Sequence, residues 1–114
     1  MGNGAEIDRE LLKGSISLLL LNLLSRGEMY GYEILQAAAV RSANAFEFKE
    51  GTLYPALLKL EQMGWVSSKW GVSESGRRAR FYAITRSGRR QLQAEADNWQ
   101  RAAAIVARFL TDLP

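Results

Sequence analysis

The stretch that decides the fold runs from Trp65 to Arg90 and reads WVSSKWGVSESGRRARFYAITRSGRR. Two runs suited to strands, Trp65–Trp70 and Ala79–Thr85, flank a loop over Gly71–Gly76, and this order predicts a β-hairpin. The stretch holds seven cationic side chains and one acid, Glu74, so its charge is +6 in a chain of net charge +3. The cations are Lys69, Arg77, Arg78, Arg80, Arg86, Arg89 and Arg90. Charge for solubility alone is the alternative, but mixed signs would serve that better, so the hairpin points to an anionic partner.

The composition describes one domain of 114 residues, of which 47% are apolar, and this excludes a disordered chain. A domain of this size also gains stability from pairing with a second copy. The sequence pI of about 9.5 favours an acidic partner. Cysteine and histidine are absent, which excludes disulfides, the common zinc sites, thiol nucleophiles and serine–histidine catalysis. We therefore expect a cytoplasmic protein with no cofactor and no metal.

Membrane and enzyme functions are both disfavoured. The longest apolar stretch, Leu18–Leu24, is interrupted by Asn22 and is far shorter than the roughly 20 residues of a membrane span. Residues 1–15 contain acids and no apolar core segment, so no signal peptide is expected there. Glu95 and Asp97 would diverge on a helix, and the chain has no phosphate-binding glycine loop, so we expect no enzymatic activity.

The first helix is predicted from about Asp8 to Ser25, with Gly27 as its C-terminal cap. Two rows of residues follow this helix. One row holds Leu12, Ile16, Leu19, Leu20 and Leu23, and the other holds Leu11, Ser15, Leu18 and Asn22. Because a helix that is apolar on two sides must be covered on two sides, one cover has to come from outside the domain core.

Two further elements precede the third helix. A second helix is predicted from Gly31 to about Ser42. The segment Asn44–Lys49 then alternates aromatic and charged residues with a period of two, which predicts a short strand.

The third helix is predicted to have Thr52 as its N-cap, Pro55 in its first turn and an end at Met63-Gly64. Its apolar side holds Leu53, Ala56, Leu57 and Leu60, and its opposite side holds Thr52, Pro55, Lys59 and Gln62, with Tyr54 on a flank. A face of small polar, amide and cationic groups fits the major groove of DNA, although an ordinary surface helix is the alternative. The basic hairpin that follows favours a winged helix-turn-helix, in which Arg77, Arg78 and Arg80 would follow phosphates or enter the minor groove.

The final helix is predicted from Arg86 to about Leu110 and carries a heptad seam. The seam residues are spaced 4-3-4-3-4: Leu92, Ala96, Trp99, Ala103, Val106 and Leu110. This seam predicts a homodimer about a two-fold axis, with Leu11 and Leu18 of the first helix as its second cover. Trp99 lies between two alanines, so the paired rings could frame a slot for a planar aromatic molecule. The alternative is that Trp99 only fills the dimer core.

The sequence resembles the PadR family of transcriptional regulators over about Leu11 to Leu110. The matching segments are MYGYEI (29–34), EGTLYPAL (50–57), LEQMGWV (60–66) and RRARFYAITRSG (77–88). The resemblance implies a winged helix-turn-helix dimer that represses a promoter and often releases it when an effector binds. The single C-terminal helix is similar to that of multidrug-sensing members, in which a tryptophan at the position of Trp99 pairs across the dimer around planar ligands. Ala103 stands where an acid can assist cationic drugs, which argues against a preference for cations.

The predicted architecture is mainly α with a small β-hairpin. It has a winged helix-turn-helix domain over residues 8–85 and a dimerisation helix over 86–111 that packs on the first helix of the partner. The expected partners are double-stranded DNA with a palindromic operator, a second copy of the chain and a planar aromatic effector. A constitutive DNA-binding regulator with no small-molecule ligand is the alternative. The predicted DNA-binding residues are Tyr30, Lys49, Thr52, Tyr54, Pro55, Lys59, Arg77, Arg78 and Arg80. The predicted ligand-binding residues are Leu11, Leu18, Trp99 and Ala103.

Overall fold

The computed structural model describes residues 12–111 and 113, which form four α-helices and a three-stranded antiparallel sheet. The predicted helix start at Asp8 and the predicted contact residue Leu11 lie outside the described residues. A 3-10 turn over Lys13–Ser15 leads into the first helix. The elements are α1 (Ile16–Leu24), β1 (Met29–Tyr30), α2 (Gly31–Arg41), α3 (Glu50–Gln62), β2 (Val66–Val72), β3 (Arg78–Ile84) and α4 (Arg86–Leu110).

Helix α1 lies at the centre of the core, because Leu20, Leu21 and Leu24 are at most 1% exposed. Leu21 and Leu24 belong to neither predicted row, so the buried side of α1 is wider than predicted. The helix ends at Leu24 with Ser25 at its C-cap, and the N–H of Ser25 donates to the carbonyl of Leu21 at 2.9 Å. The predicted cap Gly27 is therefore wrong, since it lies two residues beyond the capping position.

The predicted strand over Asn44–Lys49 is wrong, because this segment is a loop. Ser42 holds the loop through its hydroxyl, which accepts from the N–H of Phe46 at 3.0 Å and donates to its carbonyl at 2.9 Å. Phe46 and Phe48 are both buried and meet edge to face at 4.9 Å. The alternation of aromatic and charged residues therefore reflects the burial of Phe46 and Phe48 and not a strand conformation.

Helix α3 begins three residues earlier than predicted. Its N-cap is Lys49, whose carbonyl accepts from the N–H groups of Thr52 and Leu53, each at 2.9 Å. Thr52 is therefore the third helical residue and not the cap. Pro55 lies inside the helix, one turn later than predicted, where its missing N–H removes an intrahelical hydrogen bond. The predicted end at Met63-Gly64 is confirmed, with Met63 at the C-cap.

The sheet has the order β1-β3-β2, so β3 is its central strand. Strands β2 and β3 pair from Val66 opposite Ile84 to Val72 opposite Arg78. Strand β1 pairs with only two residues of β3, Phe81 and Tyr82. Beyond these two residues the hairpin is therefore a two-stranded ribbon, which we call the wing (residues 70–80).

A tight turn joins the two strands of the wing. The N–H of Gly76 donates to the carbonyl of Ser73 at 2.9 Å, and the N–H of Ser73 donates to the carbonyl of Arg77 at 2.8 Å. Gly76 has a φ of +82°, as the last position of such a turn requires. The loop is shorter than predicted, because Gly71 belongs to strand β2.

Helix α4 spans Arg86–Leu110, as predicted. Thr85 is its N-cap and accepts from the N–H of Gly88 at 3.0 Å. The same hydroxyl donates to the carbonyl of Gly64 at 2.7 Å, and this bond ties the start of α4 to the end of α3.

Candidate nucleic-acid interface

The orientation of α3 is fixed by Leu53, Leu57 and Leu60, which are at most 3% exposed. The opposite face of the helix is therefore presented to solvent. Of the residues predicted to bind DNA, this exposed face and its start carry Lys49, Thr52, Pro55 and Lys59. Lys59 lies on the side away from the wing, where it lines a groove with Lys13, Trp65 and Glu95.

Leu58 is a residue of this face that the sequence analysis missed. It lies one turn from both Tyr54 and Gln62, and it is 56% exposed. An apolar side chain in the middle of a polar face can contact the methyl group of thymine. The exposure of Leu58 could have been predicted from the sequence, because at 3.6 residues per turn Leu58 lies on the opposite side of the helix from Leu53 and Leu60.

Tyr54 and Tyr30 approach each other from α3 and from the start of α2. The end of the Tyr54 side chain packs on the Cα of Gly31, the first residue of α2. Tyr30 meets Phe81 edge to face at 5.3 Å and stacks on Tyr32 at 6.5 Å. The predicted residues Tyr30 and Tyr54 are thus brought to one site.

A groove of about 760 Å³ lies between these tyrosines and the wing. Its lining includes Tyr30, Tyr32, Tyr54, Trp70, Arg77, Arg78, Arg80 and Tyr82. Burial raises the pKa of Tyr82, and partial burial likewise raises the pKa of Tyr30. A phenol is protonated at neutral pH in any case, and the raised pKa values keep both side chains in the O–H form. Tyr32 and Trp70 are groove residues that the sequence analysis did not select.

The three predicted arginines of the wing have different surroundings. Arg77 is exposed beside the turn. The guanidinium of Arg78 lies over the ring of Trp70 at 4.3 Å from its centre, a distance typical of a cation–π contact. Arg80 is turned toward α3, where its Nε donates to Ser68 Oγ at 2.9 Å and its Nη2 lies 3.7 Å from Glu61 Oε2. The outward charge of the wing therefore comes mainly from Arg77 and Arg78.

The remaining cations of the basic stretch are spread over other surfaces. Lys69 lies 3.6 Å from Glu28 in an exposed ion pair. Arg89 Nη1 donates to the carbonyl of Ser25 at 3.5 Å, where a cation at the C-terminal end of α1 is favourable. Arg86 and Arg90 are exposed at the start of α4. The charge of +6 is thus divided between the wing, its base and the start of α4, and is not confined to the groove.

The predicted seam of α4 divides into two parts. Leu92 and Ala96 are half-buried, and Ser17 of α1 donates to Glu95 Oε2 at 3.1 Å between them. From Asp97 to Thr111 every residue is exposed. The exposed fractions are 48% for Trp99, 56% for Val106, 54% for Leu110 and 79% for Phe109. Ile105 and Phe109 are large apolar residues of this half that the heptad pattern did not select.

Leu18 and Trp99, two of the predicted ligand-binding residues, lie in different surroundings. Leu18 lines a groove of about 390 Å³ together with Asn22, Phe46 and Phe48. Trp99 and Ala103 lie on the exposed half of α4. The predicted ligand site is therefore not assembled within one chain.

Over residues 12–111 and 113, no helix is both long and apolar enough to cross a bilayer.

Comparison with known proteins gives consistent results. A transcriptional regulator from Clostridium thermocellum has a similar structure, with a TM-score of 0.82 and 28% identity over 90% of this chain and 99% of that one. A PadR family regulator from Eggerthella lenta DSM 2243 gives a TM-score of 0.79 and 28% identity over 92% and 89% of the two chains. The negative transcriptional regulator PadR of Bacillus subtilis (strain 168) is 27% identical over 73 residues, which cover 64% of this chain and 40% of that protein.

Residues 20–94 match the model of the transcriptional regulator PadR-like family. The match includes α2, α3 and the wing, and residues 20–94 contain all four of the sequence segments that indicated the resemblance. The winged helix-turn-helix fold and the non-enzymatic role in transcription that were predicted from the sequence are confirmed. The chain belongs to the PadR-like family of transcriptional regulators.

Proposed function

We propose that the protein represses transcription by binding a palindromic duplex as a homodimer, with α3 in the major groove and the wing against the neighbouring backbone. The observation that carries this proposal is the exposed face of α3, which lies beside a wing with outward-facing Arg77 and Arg78. The repressor role is supported by the Bacillus subtilis relative, which is described as a negative transcriptional regulator.

Base recognition is assigned to α3. Thr52, Lys59 and Gln62 can hydrogen-bond to base edges, and Leu58 can contact a thymine methyl group. Pro55 has no N–H to donate, and its short side chain would let the helix approach the base edges in the major groove closely. Lys49 is the N-cap of α3 and would contact a backbone phosphate, because anions are favoured at the N-terminal end of a helix.

Backbone contacts are assigned to the wing and the tyrosine-lined groove. Arg77 and Arg78 supply charge, and the phenol groups of Tyr30 and Tyr54 supply hydrogen-bond donors. Such contacts position a protein on DNA without reading its sequence.

Selection of bound duplexes from a random DNA pool tests the proposal. We expect a palindromic consensus whose half-sites lie about one helical turn apart. Arg77→Ala should weaken binding to all duplexes and lower the slope of log K against log salt by about one unit. Lys59→Ala should instead change affinity in a sequence-dependent way. Absence of any enriched duplex would exclude the proposed function.

The homodimer is supported by the exposed half of α4. Trp99, Val106, Phe109 and Leu110 are each about half exposed or more, and a contiguous apolar surface of this kind marks an interaction site. A two-fold pairing along the seam would bury these side chains at roughly 25 cal/mol per Å² of apolar surface.

A planar aromatic effector between Trp99 and its symmetry mate is the proposed signal. Ala96 and Ala103 leave room beside the indole, which is 48% exposed. Stacking on the indoles would contribute roughly 1–3 kcal/mol, by analogy with base–aromatic stacking. Trp99→Ala should abolish the binding of planar dyes and leave DNA binding intact. Equal dye affinity in the parent and the variant would favour the constitutive regulator.

A further inference from the structure

Three side chains from three elements meet where the wing leaves the core. Glu61 lies in the last turn of α3, Ser68 in β2 and Arg80 in β3. Ser68 Oγ donates to Glu61 Oε2 at 2.6 Å, and Arg80 Nε donates to Ser68 Oγ at 2.9 Å. Arg80 Nη2 lies 3.7 Å from the same Glu61 oxygen. The two charged side chains are only 39% and 31% exposed, so water screens their interaction less than it would on an open surface.

We infer that Glu61, Ser68 and Arg80 form a brace that holds the wing at a fixed position relative to α3. Arg80 then serves DNA binding as a positioning residue and not as a phosphate contact. This inference rests on the proposed function, since the brace matters only if α3 and the wing engage one duplex together.

The wing needs such a tether because, apart from the exposed ion pair between Lys69 and Glu28 at its base, few contacts with the core support it. The core holds the base of the hairpin through Val66 and Tyr82, whereas Trp70 and Val72 are 54% and 69% exposed. Strand β1 pairs with β3 only at Phe81 and Tyr82. A two-stranded ribbon beyond that point is marginally stable by itself.

The brace also accounts for an acid on the helix proposed to enter the major groove. A carboxylate there would repel phosphates if it faced them. Glu61 instead faces β2 and β3, where its charge is opposed by Arg80 and its oxygen is hydrogen-bonded by Ser68.

The salt dependence of DNA binding separates positioning from contact. Arg80→Ala should lower affinity about tenfold, within the range of couplings found in one hydrogen-bonded network, while its salt slope stays that of the parent. The control Arg77→Ala should lower the slope by about one unit. Arg80→Lys keeps the charge but loses the planar guanidinium group that contacts Ser68 and Glu61, so it should not restore the full affinity for DNA. If Arg80→Ala lowers the slope as Arg77→Ala does, Arg80 contacts a phosphate and the brace is wrong.

Removal of the acid provides a test of sign. Glu61→Ala and Glu74→Ala each raise the net charge by one, and Glu74 lies exposed in the turn of the wing. Electrostatics alone predicts tighter DNA binding for both variants. With the brace, Glu74→Ala binds more tightly, Glu61→Ala binds more weakly, and the double variant Glu61→Ala/Arg80→Ala is no weaker than Arg80→Ala. Tighter binding by Glu61→Ala would overturn the inference.

Amide hydrogen exchange on the free protein tests the brace without DNA. Glu61→Ala should speed exchange in the wing amides while Glu74→Ala should not, because exchange reports local opening. Unchanged exchange in Glu61→Ala would contradict the brace. Failure of the parent protein to bind any duplex would contradict the proposed function, and the exchange result would still decide whether the brace exists.

Discussion

Gly31 lies directly under the ring of Tyr54 and leaves no space for a side chain. A Cβ at this position would collide with the Tyr54 hydroxyl and lie 2.9 Å from Tyr54 Cζ. Because the end of a tyrosine side chain can swing away, Gly31→Ala should change the free energy of unfolding by less than about 1 kcal/mol. DNA affinity should fall as much as in Tyr54→Ala. Titration of an operator duplex by anisotropy measures both variants, and parent-like affinity in Gly31→Ala would remove Tyr54 from the interface.

Gly88 shows the same crowding against backbone, where nothing can swing away. A Cβ there would collide with the carbonyl oxygen of Trp65 and lie 2.8 Å from Ile84 Cγ1. Gly88→Ala should therefore lower the free energy of unfolding by roughly 1–3 kcal/mol, as overpacking does. Gly51 is also in the first turn of a helix, but apart from its chain neighbours and its own helix backbone no atom lies within 4 Å of its Cβ position. Gly51→Ala should therefore raise the free energy of unfolding by roughly 0.5 kcal/mol. Urea unfolding measures the pair, and equal effects would contradict the packing described here.

Among the elements, α4 depends most on a single side chain at its start. Thr85 accepts from the N–H of Gly88 and donates to the carbonyl of Gly64. Thr85→Ala loses both bonds, so the free energy of unfolding should fall by about 1–2 kcal/mol. Thr52, which the sequence suggested as the cap of α3, makes no such bond, and Thr52→Ala should change it by less than about 0.5 kcal/mol. Thermal unfolding of the two variants measures these changes. A larger loss of free energy of unfolding in Thr52→Ala than in Thr85→Ala would indicate that Thr52 is the N-cap of α3, as predicted from the sequence.

Periodicity predicted elements well where the burial pattern and the backbone conformation coincide. Helix α4 has one continuous pattern between Thr85 and its exposed end, and both of its bounds were predicted. At residues 44–49 the pattern was real but reported burial of Phe46 and Phe48 only, because alternation carries no information about a pairing partner. Strand β1 was missed because two residues are too short to show a period.

The same limit applies to the candidate site. The outward residues of α3 follow from helical geometry, so Thr52, Pro55 and Lys59 were predicted from the sequence alone. The surroundings of Arg80 depend on the register that sets Trp70 opposite it and on the approach of α3 to β2. Neither is encoded in local spacing, so charge alone grouped Arg80 with Arg77 and Arg78.

For the whole molecule, the exposed half of α4 is the feature that a second copy should cover. Val106→Asp/Leu110→Asp should give a monomer whose winged domain stays folded, because residues beyond Asp97 lie outside the core. Sedimentation equilibrium should give twice 12.7 kDa for the parent at micromolar concentration and 12.7 kDa for the variant. The control Arg101→Asp/Arg108→Asp adds acids to the opposite face and should remain a dimer. A parent mass of one chain above about 100 μM would exclude an obligate dimer.

Helix α4 leaves the wing strand after one residue, Thr85, and is 25 residues long. The helix therefore reaches about 37 Å from the base of the wing to the proposed dimer contact. If α4 turns by about 10° about the dimer contact, its N-terminal end at the base of the wing moves by roughly 6 Å, which is close to the rise of two base pairs. A small change in the angle between the two α4 helices would then change the distance between the two wings of the dimer. The wings would no longer match half-sites whose spacing is fixed by the pitch of the duplex.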